Sequence, residues 1–154
     1  MSNPAAEAEG PVFSIQKLYV KDISFESPNS PEVFAIPDVQ PHVELSVTME
    51  NQQVNEEHWE VSVKVSATMH DKKNDKLLFE IEIEQAALFY MKNIPEDHLP
   101  TILGVECPTI IFPYVRQLVS QLTVDGGFMP LLLEPVNFGA AFEASRAEQQ
   151  QTIN

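Results

Sequence analysis

Trp59-Glu60-Val61-Ser62-Val63-Lys64-Val65-Ser66-Ala67-Thr68-Met69, then Asp71-Lys72-Lys73-Asn74-Asp75, then Phe79-Glu80-Ile81-Glu82-Ile83-Glu84: this run decides the architecture. Apolar and polar residues alternate on both sides of a short polar turn. A period of two puts the apolar side chains on one face of a strand and the polar ones on the other. The Asp, Asn and Lys residues between suit a hairpin. The stretch therefore predicts two antiparallel strands with one buried face and one wet face.

Two further strands lie N-terminal to it. Residues 43–49, Val-Glu-Leu-Ser-Val-Thr-Met, alternate in the same way, and a short polar connection joins them to the central strand. In residues 12–26 the apolar positions are Phe13 and Ile15, then Leu18 and Val20, then Ile23 and Phe25. That parity shifts twice, which calls for a bulge or for partial cover on both faces. The last strand, residues 77–91, alternates in its first half and is apolar on both faces in its second. Residues 27–41 are long enough to cross the sheet between the first two strands, and they carry the exposed-looking Val33, Phe34 and Ile36.

Two proline-studded stretches follow that are more apolar than surface loops should be. They are Leu103-Gly104-Val105-Glu106-Cys107-Pro108-Thr109-Ile110-Ile111-Phe112-Pro113-Tyr114 and Pro130-Leu131-Leu132-Leu133-Glu134-Pro135-Val136-Asn137-Phe138. A first helix is predicted from Pro108 or Thr109 to about Val124, stopped by Asp125-Gly126-Gly127. Ile111, Tyr114, Val115, Leu118, Val119 and Leu122 form its apolar side. Pro113 should sit near its first turn, since an interior proline costs about 3 kcal/mol. Asn137 suits the N-cap of a second helix over residues 138–147, with Phe138, Ala141 and Phe142 on one face. The fold class is α+β: a four-stranded antiparallel sheet, a long crossover after strand one, and two C-terminal helices on one face. One domain is expected over residues 12–146, between a disordered leader (1–11) and a disordered tail (147–154). A single-layer sheet with this much spare apolar surface predicts an oligomer.

Composition narrows the function classes. The 154 residues carry a formal net charge of −14. That disfavours nucleic acid and anionic membrane surfaces as partners and favours basic partners or simple solubility. No apolar run approaches the ~20 residues of a membrane helix, and the acidic N-terminus lacks signal-peptide character. The lone Cys107 agrees with a reducing compartment, so a cytoplasmic location is expected. His42, His58, His70 and His98 are scattered, and none pairs with another at helical spacing to hold a metal. Cys107 has no orienting partners and reads as a small buried hydrophobe. Neither a glycine-rich dinucleotide fingerprint nor a phosphate loop is present, so no catalytic residue, metal or cofactor is assigned.

Two surfaces remain. Glu80, Glu82 and Glu84 project from one strand face roughly 7 Å apart, where Glu44, Glu60, Asp22 and Glu26 can join them. The face is either a solvated, aggregation-suppressing one or a docking surface for a basic partner. Phe34, Phe112, Phe138 and Phe142 are either core or binding-surface aromatics, with Phe34 the least suited to a core because its loop is polar.

Taken together, several motifs resemble the SecB family of export chaperones. They are Lys21-Asp22-Ile23-Ser24-Phe25-Glu26 with Pro28-Asn29 and Pro31, then Leu103-Gly104 with Cys107-Pro108, then Phe112-Pro113-Tyr114 with Arg116, and Pro135-Val136-Asn137-Phe138. The resemblance spans about residues 13–142; residues 89–103 match it loosely, and the tail after Phe142 is short. It implies a non-enzymatic homotetramer, a dimer of dimers with the first helix sandwiched between sheets. Such a protein holds unfolded precursor proteins and delivers them to the SecA ATPase, with no cofactor and no membrane insertion of its own. It further implies a client groove at Val33, Phe34, Ile36, Phe138 and Phe142. SecA would dock on the acidic face at Asp22, Glu26, Glu80 and Glu82. An oligomer interface falls at Phe112, Tyr114, Val115 and Leu118. A SecB-like chaperone dedicated to another client, such as an antitoxin, is the nearest alternative. A small α+β ligand carrier or enzyme, using a pocket beneath the second helix, is the more distant one.

Overall fold

The strictly alternating stretches form the central hairpin of the sheet. Strand β3 (His58–Asp71) pairs antiparallel with β4 (Leu77–Lys92). The structure, a computed structural model, describes residues 10–153, with side chains described to residue 150. Of the leader expected over residues 1–11, residues 1–9 lie outside this range.

Strand β2 (Pro41–Asn55) flanks β3 and strand β1 (Val12–Glu26) flanks β4, giving the order β1-β4-β3-β2. The crossover of residues 27–40 carries the chain from one edge of the sheet to the other. It holds a 3-10 turn at Glu32–Ala35. The parity shifts of β1 are both bulges, one between Ile15 and Lys17 and one between Val20 and Asp22. Each bulge restores the face that a plain strand would have lost. Ile15 therefore faces Phe89, Leu18 faces Ala87, and Ile23 faces Ile83, all on one side of the sheet.

That side is covered by helix α1 (Leu99–Asp125), which begins at Leu99, nine residues before Pro108 and ten before Thr109, the expected starts. Its first turn, Leu99–Thr101, passes through a π turn at Ile102–Glu106 into the regular helix Cys107–Asp125. The π turn lets the helix run through Pro108, which has no N–H to give, and Thr109 Oγ1 donates to the Val105 carbonyl at 2.6 Å. Pro113 consequently lies inside the helix, not near its start. Pro113 and Thr109 are both exposed, so water can reach the carbonyl that the proline leaves unpaired. Ile111, Phe112, Val115 and Val119 are buried on the sheet side of the helix, each worth about 1.5–3 kcal/mol, and together they outweigh the cost of the proline.

By length and composition alone α1 would pass for a membrane span, as the core helix of a soluble protein also can; here its residues Ile111, Val115 and Val119 are buried against the chain's own sheet. Phe112 and Val115, expected at a protomer interface, are 4% and 0% exposed within this one chain, in the core that the helix shares with β3 and β4. Tyr114, placed on the apolar side, instead points outward at 45% exposure.

Helix α2 (Phe138–Ile153) extends past the expected end at residue 147. Glu148 and the glutamines that follow are good helix formers and carry it through residues expected to be disordered. Asn137 caps it as expected, Oδ1 accepting the Ala140 N–H at 2.9 Å. The helix docks on the start of α1. Phe138 meets Phe112 edge-on at 5.8 Å, and a side chain at Gly104 would come within 2.8 Å of the Phe142 ring.

Gly126 ends α1 at ordinary dihedrals, so its role is close approach. A Cβ there would lie 2.2 Å from Phe25 Cζ, and Phe25 stacks on the buried Phe79. Gly126→Ala is expected to lower stability by about 1–3 kcal/mol through overpacking, read as a fall in urea midpoint at constant slope.

Candidate functional site

Between the crossover and residues 127–136, on the helix-bearing side, lies an apolar trough of about 380 Å³. Thr123 shapes its outer wall: its hydroxyl accepts the Leu131 N–H at 3.0 Å, and its carbonyl accepts the Phe128 N–H at 2.9 Å. Those bonds seat Phe128 at the centre of a ring cluster, 5.0 Å from Phe79, 5.1 Å from Phe34 and 6.4 Å from Phe25. Val39, Pro41, Met69 and Leu78 complete the floor and near wall. Met129, which lines the trough, is 87% exposed; Phe34, resting on Phe128, is 51% exposed, and Leu132, next after Leu131, is 71% exposed. An open apolar rim with a flexible thioether accepts many apolar side chains without demanding one shape.

The five groove residues expected from the sequence divide into two sites. Phe34 stands on the trough rim, with Ile36 half-buried beside it. Val33 does not line a surface. The 3-10 turn directs it inward, the Val33 N–H donates to Asn29 O at 3.0 Å, and only 4% of the residue is exposed. Phe138 is equally buried, at 3%, and Phe142 packs over Gly104 near the start of α1. Phe128, Met129 and Leu131 were absent from the expected set, although the density of apolar residues at 130–138 marked their neighbourhood.

The opposite side of the sheet is polar. Register sets Asp22 against Glu84, Ser24 against Glu82, and Glu26 against Glu80. The four residues expected to dock a partner, Asp22, Glu26, Glu80 and Glu82, thus share one end of this face. A concavity of about 410 Å³ opens there, lined by Asp22, Glu82, Glu84 and Lys64 among others. Lys64 reaches Glu50 at 3.2 Å and Glu84 at 3.9 Å. Further along, Glu60 accepts from Lys21 Nζ at 3.0 Å, from Gln52 Nε2 at 3.1 Å and from the Tyr19 hydroxyl. Burial opposes ionisation of Glu60, but these donors outweigh it and hold its carboxyl below the usual range. Burial, and then donation to Glu60, raise the Tyr19 hydroxyl. Lys21, the basic residue next to Asp22, is thereby drawn away from the acidic end.

The family model for SecB, described as preprotein translocase subunit SecB, matches residues 6–150. The chain belongs to the SecB family. The "Protein-export protein SecB" of Desulfotalea psychrophila is 49% identical over 149 residues, covering 96% of each chain. That of Magnetococcus marinus is 43% identical over 147 residues, covering 96% of this chain and 91% of its own. Among solved structures, the SecB-like chaperone of Mycobacterium tuberculosis in complex with a ChAD peptide from the HigA1 antitoxin aligns with TM-score 0.67 at 17% identity. That alignment covers 80% of this chain and 90% of the other, and it shows the shared fold.

In this SecB-family chain the remaining chemistry-bearing residues have structural neighbours. His58 bonds Asn55 Oδ1 and Gln16 Oε1. Among the described residues no three His, Cys, Asp or Glu side chains gather to hold a metal. Cys107 is fully buried, and burial first, with Glu106 adding to it, pushes its thiol up to about 12 from the ordinary 9.0. Its folded value is the higher one. The contribution of the protonated thiol to stability is therefore complete below pH 9 and is lost as pH rises toward 12. At pH 8, Cys107 is expected to react with a maleimide only at the rate of unfolding. Prompt labelling of the native protein would contradict its burial.

Proposed function

We propose that this SecB-family chaperone holds unfolded precursor proteins against the apolar trough and passes them to SecA through the acidic face of its sheet. It works without catalysis, in the cytoplasm, as a homotetramer. One observation carries the reading: the apolar trough, with the exposed Met129 in it and the exposed Phe34 packed on its Phe128, and the acidic end of the sheet lie on opposite faces of one four-stranded layer. A holdase needs two such surfaces. One takes many apolar sequences by contact area and backbone pairing; the other takes a single basic partner by charge.

The homotetramer is supported by apolar surface on the helix side of β1. Ile15, Val20 and Ile23 are each 43–44% exposed, with Tyr114 and Leu118 of α1 nearby. The Gln85 carboxamide oxygen lies buried there without a partner. The expected interface thus keeps Tyr114 and Leu118 and loses Phe112 and Val115. Export clients are favoured over a dedicated antitoxin because the 49%-identical relative is named for export, whereas the antitoxin-peptide complex is related by fold alone.

Phe34→Ala is the direct test of the trough. Its ring is half exposed and rests on Phe128, so its loss should cost the fold only about 1 kcal/mol. Capture of an unfolded precursor is expected to weaken about threefold to tenfold, with the assembly mass unchanged. Collapse of the assembly would make Phe34 structural and would remove it from the trough's working surface.

A further inference from the structure

Side chains, more than ladder bonds, fasten the crossover that forms one wall of the trough. At its start, Ser27 Oγ donates to the Leu78 carbonyl at 2.9 Å and Asn29 Nδ2 to the Leu77 carbonyl at 3.0 Å. At its end, a carboxylate takes over. Asp71 closes β3 and is 1% exposed. Its Oδ1 accepts the N–H of Gln40 and the N–H of Lys73, each at 3.2 Å, while the Gln40 carbonyl accepts the Lys72 N–H at 2.7 Å. Its Oδ2 is buried without a partner.

A hairpin turn alone does not explain this arrangement. An aspartate that only caps a turn does so equally well in water, where its charge is solvated. Burying a carboxylate with one oxygen unpaired is costly, and a structure keeps it where something is gained. Here the gain is a fixed Gln40, whose two neighbours Val39 and Pro41 line the trough. Among the described residues no other side-chain hydrogen bond is made to Val39, Gln40 or Pro41; the ion pair of Lys76 with Glu32, at 3.6 Å, holds the crossover's middle.

We infer that Asp71 is a positioning residue for client capture: its buried carboxylate fixes Gln40 and so sets the Val39–Pro41 wall of the trough. The inference rests on the trough being the client site. Asp71→Asn keeps an oxygen for both N–H groups; Asp71→Ala keeps none. Amide exchange at Gln40 tests the latch without any client, and binding of reduced carboxymethylated α-lactalbumin, a permanently unfolded chain, tests its purpose. In Asp71→Ala the Gln40 amide is expected to exchange about tenfold faster or more, and the unfolded chain to bind about fivefold more weakly at equal folded fraction. Asp71→Asn is expected to recover most of both. If Asp71→Ala does not fold, Gln40→Pro removes the donated N–H, while also replacing the side chain and fixing φ, and is expected to give the same loss of binding.

Unchanged exchange at Gln40 in Asp71→Ala would overturn the latch. So would a variant that melts lower yet binds the unfolded chain as the wild type does. If Phe34→Ala also binds the unfolded chain normally, the trough reading has failed and the role of Asp71 in capture fails with it. If Phe34→Ala is impaired while the Asp71 and Gln40 variants bind normally, only the latch is refuted.

Discussion

Changing Glu80 and Glu82 to lysine together is expected to weaken SecA binding about a hundredfold or more and to leave precursor capture within about twofold. The pair changes the charge of the acidic end by four units, and like-charge contact with a basic partner costs several kcal/mol. The fold should tolerate the exchange. Glu80 lies directly across from Glu26, so the wild type sets two like charges opposite each other and the variant sets an attractive pair there. Titration calorimetry against SecA at low and at physiological salt measures the effect, with a steeper salt dependence in the wild type. Equal loss of SecA binding and of precursor capture would end the division of labour between the two faces.

Met129→Asp with Leu132→Asp is expected to weaken precursor capture about tenfold or more. The two side chains are 87% and 71% exposed, so their replacement should move stability by less than about 0.5 kcal/mol. A client segment seated there would have to desolvate two carboxylates with no cation to meet them. SecA docking, on the other side of the sheet, should be unchanged. Fluorescence anisotropy of a labelled unfolded precursor, beside a thermal melt, separates the two effects. Normal capture by this variant would place the client elsewhere.

The sheet was legible because a period of two leaves little freedom. The alternation at 59–69 and 79–84 set the hairpin and its buried face, and the parity breaks in β1, which allowed a bulge or cover on both faces, coincide with its two bulges. The acidic face followed, since side-chain parity and antiparallel register bring Asp22, Glu26, Glu80 and Glu82 together. The trough was only half legible. Phe34 stood out because it is a large aromatic in a polar loop, but Val33 beside it turns inward through a 3-10 turn that proline-rich sequence does not announce. Phe128 to Leu131 have no period at all; two bonds to the buried Thr123 place them.

Helix α1 misled for a related reason. Apolar residues at helical spacing mark an apolar side without saying which part of it meets the chain's own sheet. Phe112 and Val115 went to the sheet, and Tyr114 turned outward. Pro108 looked like a start signal, and only the π turn before it lets the helix begin at Leu99. The buried Phe138 has the same origin: α2 docks on that extension through Gly104, a contact between two segments that no local pattern encodes.

Amide exchange of the assembled protein, with and without a bound unfolded precursor, tests most directly whether clients and SecA use different faces. The expected result is slowed exchange at residues 33–41 and 127–136, with the acidic end of the sheet around Asp22 and Glu82 unchanged until SecA is added. Slowed exchange on that acidic end with precursor alone, and none along the trough, would contradict it.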